Sequence, residues 1–278
     1  MIKHLKFLDD GIMLNGERVT VRKTVSIGDE LTLNTESESG SDITPRDLPL
    51  GIIYEDSELV VPDKPPFMPT HPSHDHYDDT VANALAFRYK DGAEPYVFRP
   101  VNRLDRNTSG LLIVARNRIA AGRLYESMFK KEIRKRYIAV LDGVPPERSG
   151  RIETYLRRSA QSIIVREVCP PSEDADYALT EYTVLAENDG KSVVLAEAIT
   201  GRTHQLRVHF ASIGCAIVGD DLYGKPSKDI GRHALHATEI SFAHPADQRE
   251  ITLRSHIHND MERLIKKLFG DEVFDYEL

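Results

Sequence analysis

Asp105 stands between Arg103 and Arg106 in Val101-Asn102-Arg103-Leu104-Asp105-Arg106-Asn107-Thr108-Ser109-Gly110, directly before the apolar run Leu111 to Ala115. Two neighbouring cations favour the ionised carboxylate, which can serve as a nucleophile or a base. Charges flanking an apolar strand belong on a loop at the sheet edge, where a rigid scaffold presents working groups. Alone, the segment fits a structural ion pair equally well. A second polar cluster runs Thr200-Gly201-Arg202-Thr203-His204-Gln205-Leu206-Arg207-Val208-His209. At helical spacing Leu206, Phe210 and Ile213 face one way and His204, Arg207 and Ala211 another, so Arg207 can meet an anion at the edge of the core. His204 and His209 do not stack on one face, which argues against a metal pair.

Other constellations imitate chemistry less well. His71, His74 and His76 with Asp75, Asp78 and Asp79 follow a Pro-rich stretch and read as a solvated polar loop rather than a metal cluster. Gly219-Asp220-Asp221-Leu222-Tyr223-Gly224-Lys225 has P-loop spacing, but Pro226 replaces the hydroxyl residue that would hold Mg²⁺, and two aspartates sit where phosphates would approach. A metal-dependent phosphotransferase built on Asp105 would want a second carboxylate two residues on, where Asn107 stands. No metal and no cofactor is called for. Cys169 and Cys215 form no CxxC pair and read as small buried apolar residues.

With 36 basic and 44 acidic residues the chain carries a net charge of −8, which excludes an indiscriminate nucleic-acid coat protein. Between Arg99 and Arg136, however, eleven basic residues stand against three acidic ones, leaving that segment at +8. A basic block in an acidic protein is the footprint of a polyanion site on one face, or else a solvated helix face.

These residues need a scaffold, and 278 residues suffice for about two domains or one large domain with an appendage. A small β-rich module is expected over residues 1–35: a strand to Leu14, the hairpin signal Asn15-Gly16, a strand from Val19 to Val25 and another over Gly28 to Leu33. The polar, aperiodic stretch up to Pro49, placed at residues 36–49, reads as a linker. Residues 50–278 form the main domain. There, strand-turn-strand is expected over Ile52 to Val61, a central strand over Leu111 to Ala115, and a helix over Ile119 to Ile133 with Arg123, Lys130 and Arg134 toward solvent. Strands follow over Tyr137 to Leu141 and Val193 to Ile199. Thr203 is expected to cap a helix that Gly214 ends. Strands outnumber helices without regular interleaving, so the fold class is α+β, a mixed, largely antiparallel sheet with flanking helices. The absence of a long apolar run or an apolar leader points to a cytoplasmic protein with no membrane contact.

Arg103 to Leu112 resembles the HRLDRxTSGLLL signature of RluA-type RNA pseudouridine synthases, and Gly201 to His209 resembles their GRTHQIRVH signature. The similarity continues through Lys135 to Val140, Ala211 to Gly214, Ile217 to Asp220, Leu222 to Gly224 and Ala234 to Ala237, covering about residues 50 to 255. The resemblance implies that Asp105 is the catalytic aspartate, Tyr137 the tyrosine that stacks on the target base, and Arg207 the arginine that pairs with the aspartate. It implies further that Leu235 floors the uracil pocket and that Arg103 holds the place of the flipped-out nucleotide. Arg106, Arg202, His204, Lys135 and Arg136 are the remaining candidates for substrate contact, and Ile138 reads as packing. The implied reaction isomerises specific uridines in ribosomal or transfer RNA through Asp105, without redox change, by attack on sugar or base or by way of a glycal. RNA is the expected partner. The enzyme is expected to be a monomer with no obligate protein partner. A catalytically silent RNA-binding protein of the same fold is the competing class, but such a module has no use for Asp105, Tyr137 and Arg207 together.

The sequence also departs from the pattern. Asn102 replaces the usual histidine but can still donate a hydrogen bond. Asp63-Lys64-Pro65-Pro66-Phe67 replaces NKPxG, so the turn is expected to rely on its prolines. Residues 2 to 33 resemble only the second half of the alpha-L RNA-binding motif, without a counterpart of its first helix.

Overall fold

The computed structural model describes residues 12–20, 23–33, 43–92, 96–162 and 164–271. Strand β1 (Ile12–Leu14) turns through Asn15 and Gly16, both at positive φ, into β2 (Glu17–Arg18). This is the conformation that Asn-Gly favours, because it matches the twist of the paired strands. With β3 (Leu31–Leu33) they form a sheet of order β2-β1-β3. The expected strand from Val19 to Val25 is absent at the described positions: Val19, Thr20 and Lys23 to Val25 are irregular, while residues 21 and 22 lie outside them. Much of the expected linker also lies outside them. Its described part is docked: Arg46 pairs with Asp78 at 2.7 Å, and Leu48 packs on the core.

The large sheet contains β4 (Gly51–Glu55), β5 (Leu59–Lys64), β6 (Arg99–Pro100), β7 (Ser109–Leu111), β8 (Val114–Ala115) and β9 (Arg134–Leu141). It continues with β10 (Ser149–Arg158), β11 (Arg166–Cys169), β12 (Asp176–Asn188), β13 (Lys191–Ala198), β14 (Leu235–Ala243) and β15 (Glu250–Arg254). Their order is β11-β10-β12-β13-β9-β14-β7-β5-β8-β6, with β15 beside β14 and β4 beside β5. Among the described residues only β14 and β7 pair in parallel, so the sheet is mixed and mostly antiparallel. The described helices are α1 (Val81–Arg88), α2 (Arg118–Phe129), α3 (Gln205–Ser212) and α4 (Asn259–Phe269).

Alternation along the central strands sorts the core into two sides. Val60, Leu112 and Val114 pack with Leu85 of α1, Phe210 of α3 and Leu264 of α4. Leu59, Val61, Leu111 and Ile113 pack with Ala120 and Leu124 of α2. Truncating Leu124, 1% exposed, to Ala would cost about 2–5 kcal/mol.

Three expectations are corrected. The run Leu111 to Ala115 is two strands, because Leu112 stands opposite Pro62: the Pro62 carbonyl accepts from Leu112 N–H at 3.4 Å, and proline has no N–H to return the bond. Helix α2 stops at Phe129, and Arg134 opens a strand. Thr203 does not cap α3: His204 takes the cap position in the left-handed region. The turn is tied instead by the buried Gln205, whose Oε1 accepts from Thr200 and from the Arg202 N–H. Among the described residues no helix is long and apolar enough to cross a membrane.

Candidate active site

A cleft of about 680 Å³ opens where the 101–108 loop, the end of α2, β9 and the start of α3 converge. Of the described residues that line it, Asp105 is the sole carboxylate. The backbone around Asp105 is held from three directions. Thr70 exchanges two hydrogen bonds with Leu104, its hydroxyl donating to the carbonyl at 2.9 Å and accepting from the N–H at 3.2 Å. Lys64, fully buried, donates to the Arg106 carbonyl at 3.0 Å and to those of Met68 and Pro65. Arg232 donates to the Asn107 carbonyl at 3.0 Å while its other nitrogens grip Asp260, the second residue of α4, at 2.7 and 3.0 Å. Burial, reinforced by the charge of Arg232, pulls the Lys64 ammonium down to about 7. The loop feeds β7 through Gly110 at φ +106, where a Cβ would lie 2.2 Å from the Ala237 carbonyl oxygen. Glycine is therefore required for the parallel contact with β14.

Arg207, 4% exposed, is shared between two carboxylates. Its Nε and Nη2 bond Asp220 at 2.7 and 2.8 Å, and Nη1 reaches Asp105 at 3.4 Å. The expected pairing with Asp105 is thus the weaker share of the guanidinium. Burial opposes the charge on both Arg207 and Asp220, yet their mutual attraction prevails, holding the arginine above and the aspartate below its ordinary range. Asp220 also accepts from the N–H groups of Leu222 and Tyr223, so the would-be P-loop is a carboxylate mount.

His204 Nε2 lies 3.8 Å from Asp105, and its Nδ1 is 2.9 Å from the Tyr223 hydroxyl. That hydroxyl also accepts from the Arg166 N–H at 2.8 Å, which fixes the phenol that holds the imidazole. Burial lowers the His204 pKa, partly offset by the Asp105 charge.

Strand alternation sorts the basic stretch before Tyr137. Lys135 and Tyr137 line the cleft, with Leu235 beside them. Arg136, expected to touch substrate, turns to the opposite side with Arg134, where both bind Glu197. Tyr137 is 8% exposed, and burial, helped by the nearby Asp105, raises its hydroxyl pKa. Arg103, Arg202 and His204 line the cleft as well, whereas Arg106 reaches the Phe67 carbonyl at 3.3 Å. Arg202 also pairs with Asp176 at 3.1 Å.

Most of the basic block is bound internally. Arg116 reaches Glu55, Lys130 pairs with Glu126, and Arg123 donates to the Pro245 carbonyl. Only Arg103, Lys131 and Lys135 of the block line the cleft, among the described residues. His71, expected in a solvated loop, also lines it. No described group of three histidines, cysteines or carboxylates is placed to hold a metal. Asn102 spends its carbonyl on the Ile113 N–H at 2.8 Å, leaving its buried amide nitrogen unpartnered. Phe67 itself adopts φ 67, the conformation of the missing glycine, so the prolines do not replace it.

The profile of the RNA pseudouridylate synthase family matches residues 58–212, more than half of the chain. The chain belongs to that family. It is an RNA pseudouridine synthase, an isomerase that converts uridine in RNA to pseudouridine. The uncharacterized RNA pseudouridine synthase YjbO of Bacillus subtilis (strain 168) is 34% identical over 96% of this chain and 93% of its own length. The ribosomal large subunit pseudouridine synthase D of Escherichia coli O157:H7 is 33% identical over 95% of this chain and 84% of its own. Among solved structures, human RNA pseudouridylate synthase domain containing 4 superposes with a TM-score of 0.67 at 23% identity, covering 78% of this synthase and 92% of that chain.

The resemblance in the sequence pointed to Asp105, Tyr137 and Arg207, which the structure brings around one cleft. It did not single out Thr70, Lys64, Arg232, Asp220 or Tyr223. Lys64 and Asp220 fell within segments of the resemblance, and their charge inside apolar neighbourhoods was the available signal.

Proposed function

We propose that this synthase isomerises uridines of large-subunit ribosomal RNA, with Asp105 as the nucleophile. The observation that carries the assignment is the position of Asp105 as the sole described carboxylate lining the cleft, beside Tyr137 and within 3.4 Å of Arg207. Isomerisation breaks the bond between uracil N1 and ribose C1′ and forms one between C5 and C1′. The C5 proton leaves to solvent and N1 gains one, so no oxidant or reductant enters. A base inside a helix cannot be turned over, so the uridine leaves the stack. Tyr137 supplies the face on which it rests, Leu235 the floor, and Arg103 occupies the space vacated in the RNA. Arg207 pairs with the Asp105 carboxylate and aims it, and the His204 ring stands beside it. Lys135 and Arg202 contact the RNA backbone. Residues 50–278 form the catalytic domain, residues 1–35 a partial alpha-L RNA-binding-like module and residues 36–49 the connection between them. The enzyme works as a monomer in the cytoplasm without an obligate protein partner.

Ribosomal RNA is favoured over transfer RNA because several similar proteins carry the name ribosomal large subunit pseudouridine synthase D. Pseudouridine mapping across total RNA, with and without the gene, tests this: sites lost from transfer RNA alone would overturn it. For the nucleophile, Asp105→Asn should abolish tritium release from RNA labelled at uracil C5 while RNA affinity stays near wild type. Undiminished release would reject Asp105.

A further inference from the structure

We propose that the C-terminal end of α2 is a second nucleotide subsite, where Phe129 stacks on an unpaired base flanking the target uridine and Lys131 contacts its phosphate. This rests on the reading of the cleft as the RNA site. Phe129 lines the cleft but is 89% exposed, so it contributes almost nothing to the core. The two residues after it differ. Lys130 is engaged by Glu126 at 2.8 Å, whereas Lys131 makes no ion pair with a described carboxylate and approaches the Tyr177 ring, 5.6 Å from its centroid.

The helix end is built in a way that holds these side chains out. The Lys131 N–H bonds the Met128 carbonyl at 3.1 Å and the Glu132 N–H bonds the Ser127 carbonyl at 2.9 Å. This is the Schellman pattern, with Lys131 at φ 61 in the left-handed position that glycine normally fills. A lysine there carries a steric cost that glycine lacks. Strain retained at a cleft mouth, beside an aromatic ring that buries nothing, points to a ligand contact. The ligand chemistry follows from the pair. An aromatic face next to an ammonium suits an unpaired base and its phosphate, since stacking accepts any base and the charge meets the backbone. Tyr177 and Arg202, linked by a 3.0 Å bond from Arg202 Nε to the Tyr177 carbonyl, extend the aromatic and basic surface from there.

The test measures affinity for a short single-stranded oligouridylate, together with tritium release from ribosomal RNA. Phe129→Ala should weaken binding about tenfold and raise KM with kcat little changed, at unaltered Tm. Phe129→Trp should restore affinity, whereas Phe129→Leu should not, which separates stacking from mere apolar contact. Lys131→Gly relieves the strained position. It should hold or raise Tm, weaken binding, and lower the slope of log affinity against log salt by about 0.7, the value of one phosphate contact on a single strand. Wild-type affinity in Phe129→Ala, or an unchanged salt slope in Lys131→Gly, would overturn the proposal. The affinity measurement does not depend on Asp105, so failure of the nucleophile assignment remains distinguishable from failure of this one.

Discussion

Strand β9 carries Lys135 and Tyr137 on the side of the cleft and Arg134 and Arg136 on the opposite side, and the ion pairs on the two sides are built in different proportions. On the outer side Glu197 and Glu239 serve three arginines: Arg134 and Arg136 bind Glu197, while Arg136 and Arg254 bind Glu239. On the cleft side one arginine, Arg207, serves the buried Asp220 and the half-buried Asp105, with Asp221 exposed 3.9 Å away. The outer set has a surplus of cations that water can solvate. Around Arg207 carboxylates outnumber the cation, and its contact with Asp105, 3.4 Å, is longer than its two bonds to Asp220, 2.7 and 2.8 Å. One set shares two carboxylates among three arginines, the other shares one arginine between two carboxylates.

Arg207→Met attacks the inner balance most directly. It leaves Asp220 buried without its cation, which should cost about 3–5 kcal/mol in a urea titration and remove turnover in the tritium assay. Arg207→Lys should do less harm, because an ammonium restores the charge without the planar fork. A folded Arg207→Met that turns over normally would dissolve the contrast between the two sides.

Arg232→Met should remove the strut behind the Asp105 loop and free both Asp260 and Lys64 from its charge. The Asn107 carbonyl loses its donor, and kcat should fall about 100-fold while RNA affinity stays within a small factor. Equal losses in affinity and kcat would instead mark Arg232 as an RNA-binding or folding residue.

The outer side should be forgiving. Glu197→Gln should change stability by no more than about 1 kcal/mol, since these are partly exposed pairs, and should leave tritium release unaltered. A large loss of activity would show that the two sides are coupled through β9.

A further effect concerns pH. His209 is buried between the hydroxyls of Thr154 and Thr180, each 2.9 Å away, and burial lowers its pKa to about 4. It stays neutral in the folded protein, whereas the unfolded chain takes up a proton near the ordinary histidine value. Its contribution is therefore fully present above about 6.5 and declines as pH falls toward about 4. Stability measured at intervals across that window should fall less steeply in His209→Gln than in the parent.

What the sequence revealed follows from how local each signal is. The Asn15-Gly16 hairpin, the β4–β5 pair and the helix ended by Gly214 depend on near neighbours and were legible. So was the grouping of Asp105, Tyr137 and Arg207, carried by two long signatures and by the Lys135 to Val140 segment of the resemblance. Pro62 splitting the Leu111 strand was not legible, because the break lies in the partner strand. Asp220 looked like a defective phosphate loop until the fold laid it against Arg207. Lys64, Thr70 and Arg232 act on the backbone carbonyls and N–H groups of a distant loop, and no periodicity announces such a reach. The split between Lys135 and Arg136 needed only the two-residue period of a strand, applied two residues further upstream.

The grip of Arg232 on both Asn107 and Asp260 also has a meaning in time. A ribosome emits the loop bearing Asp105 long before it emits α4, so a nascent chain that stops short of Asp260 carries Asp105, Tyr137 and Arg207 but no anchor for the far end of that strut. Competence is then expected late in synthesis, with the growing polypeptide silent toward the RNA that surrounds it. Chains arrested on the ribosome with Asp260 still in the exit tunnel should be inactive, and those arrested after α4 has emerged should release tritium.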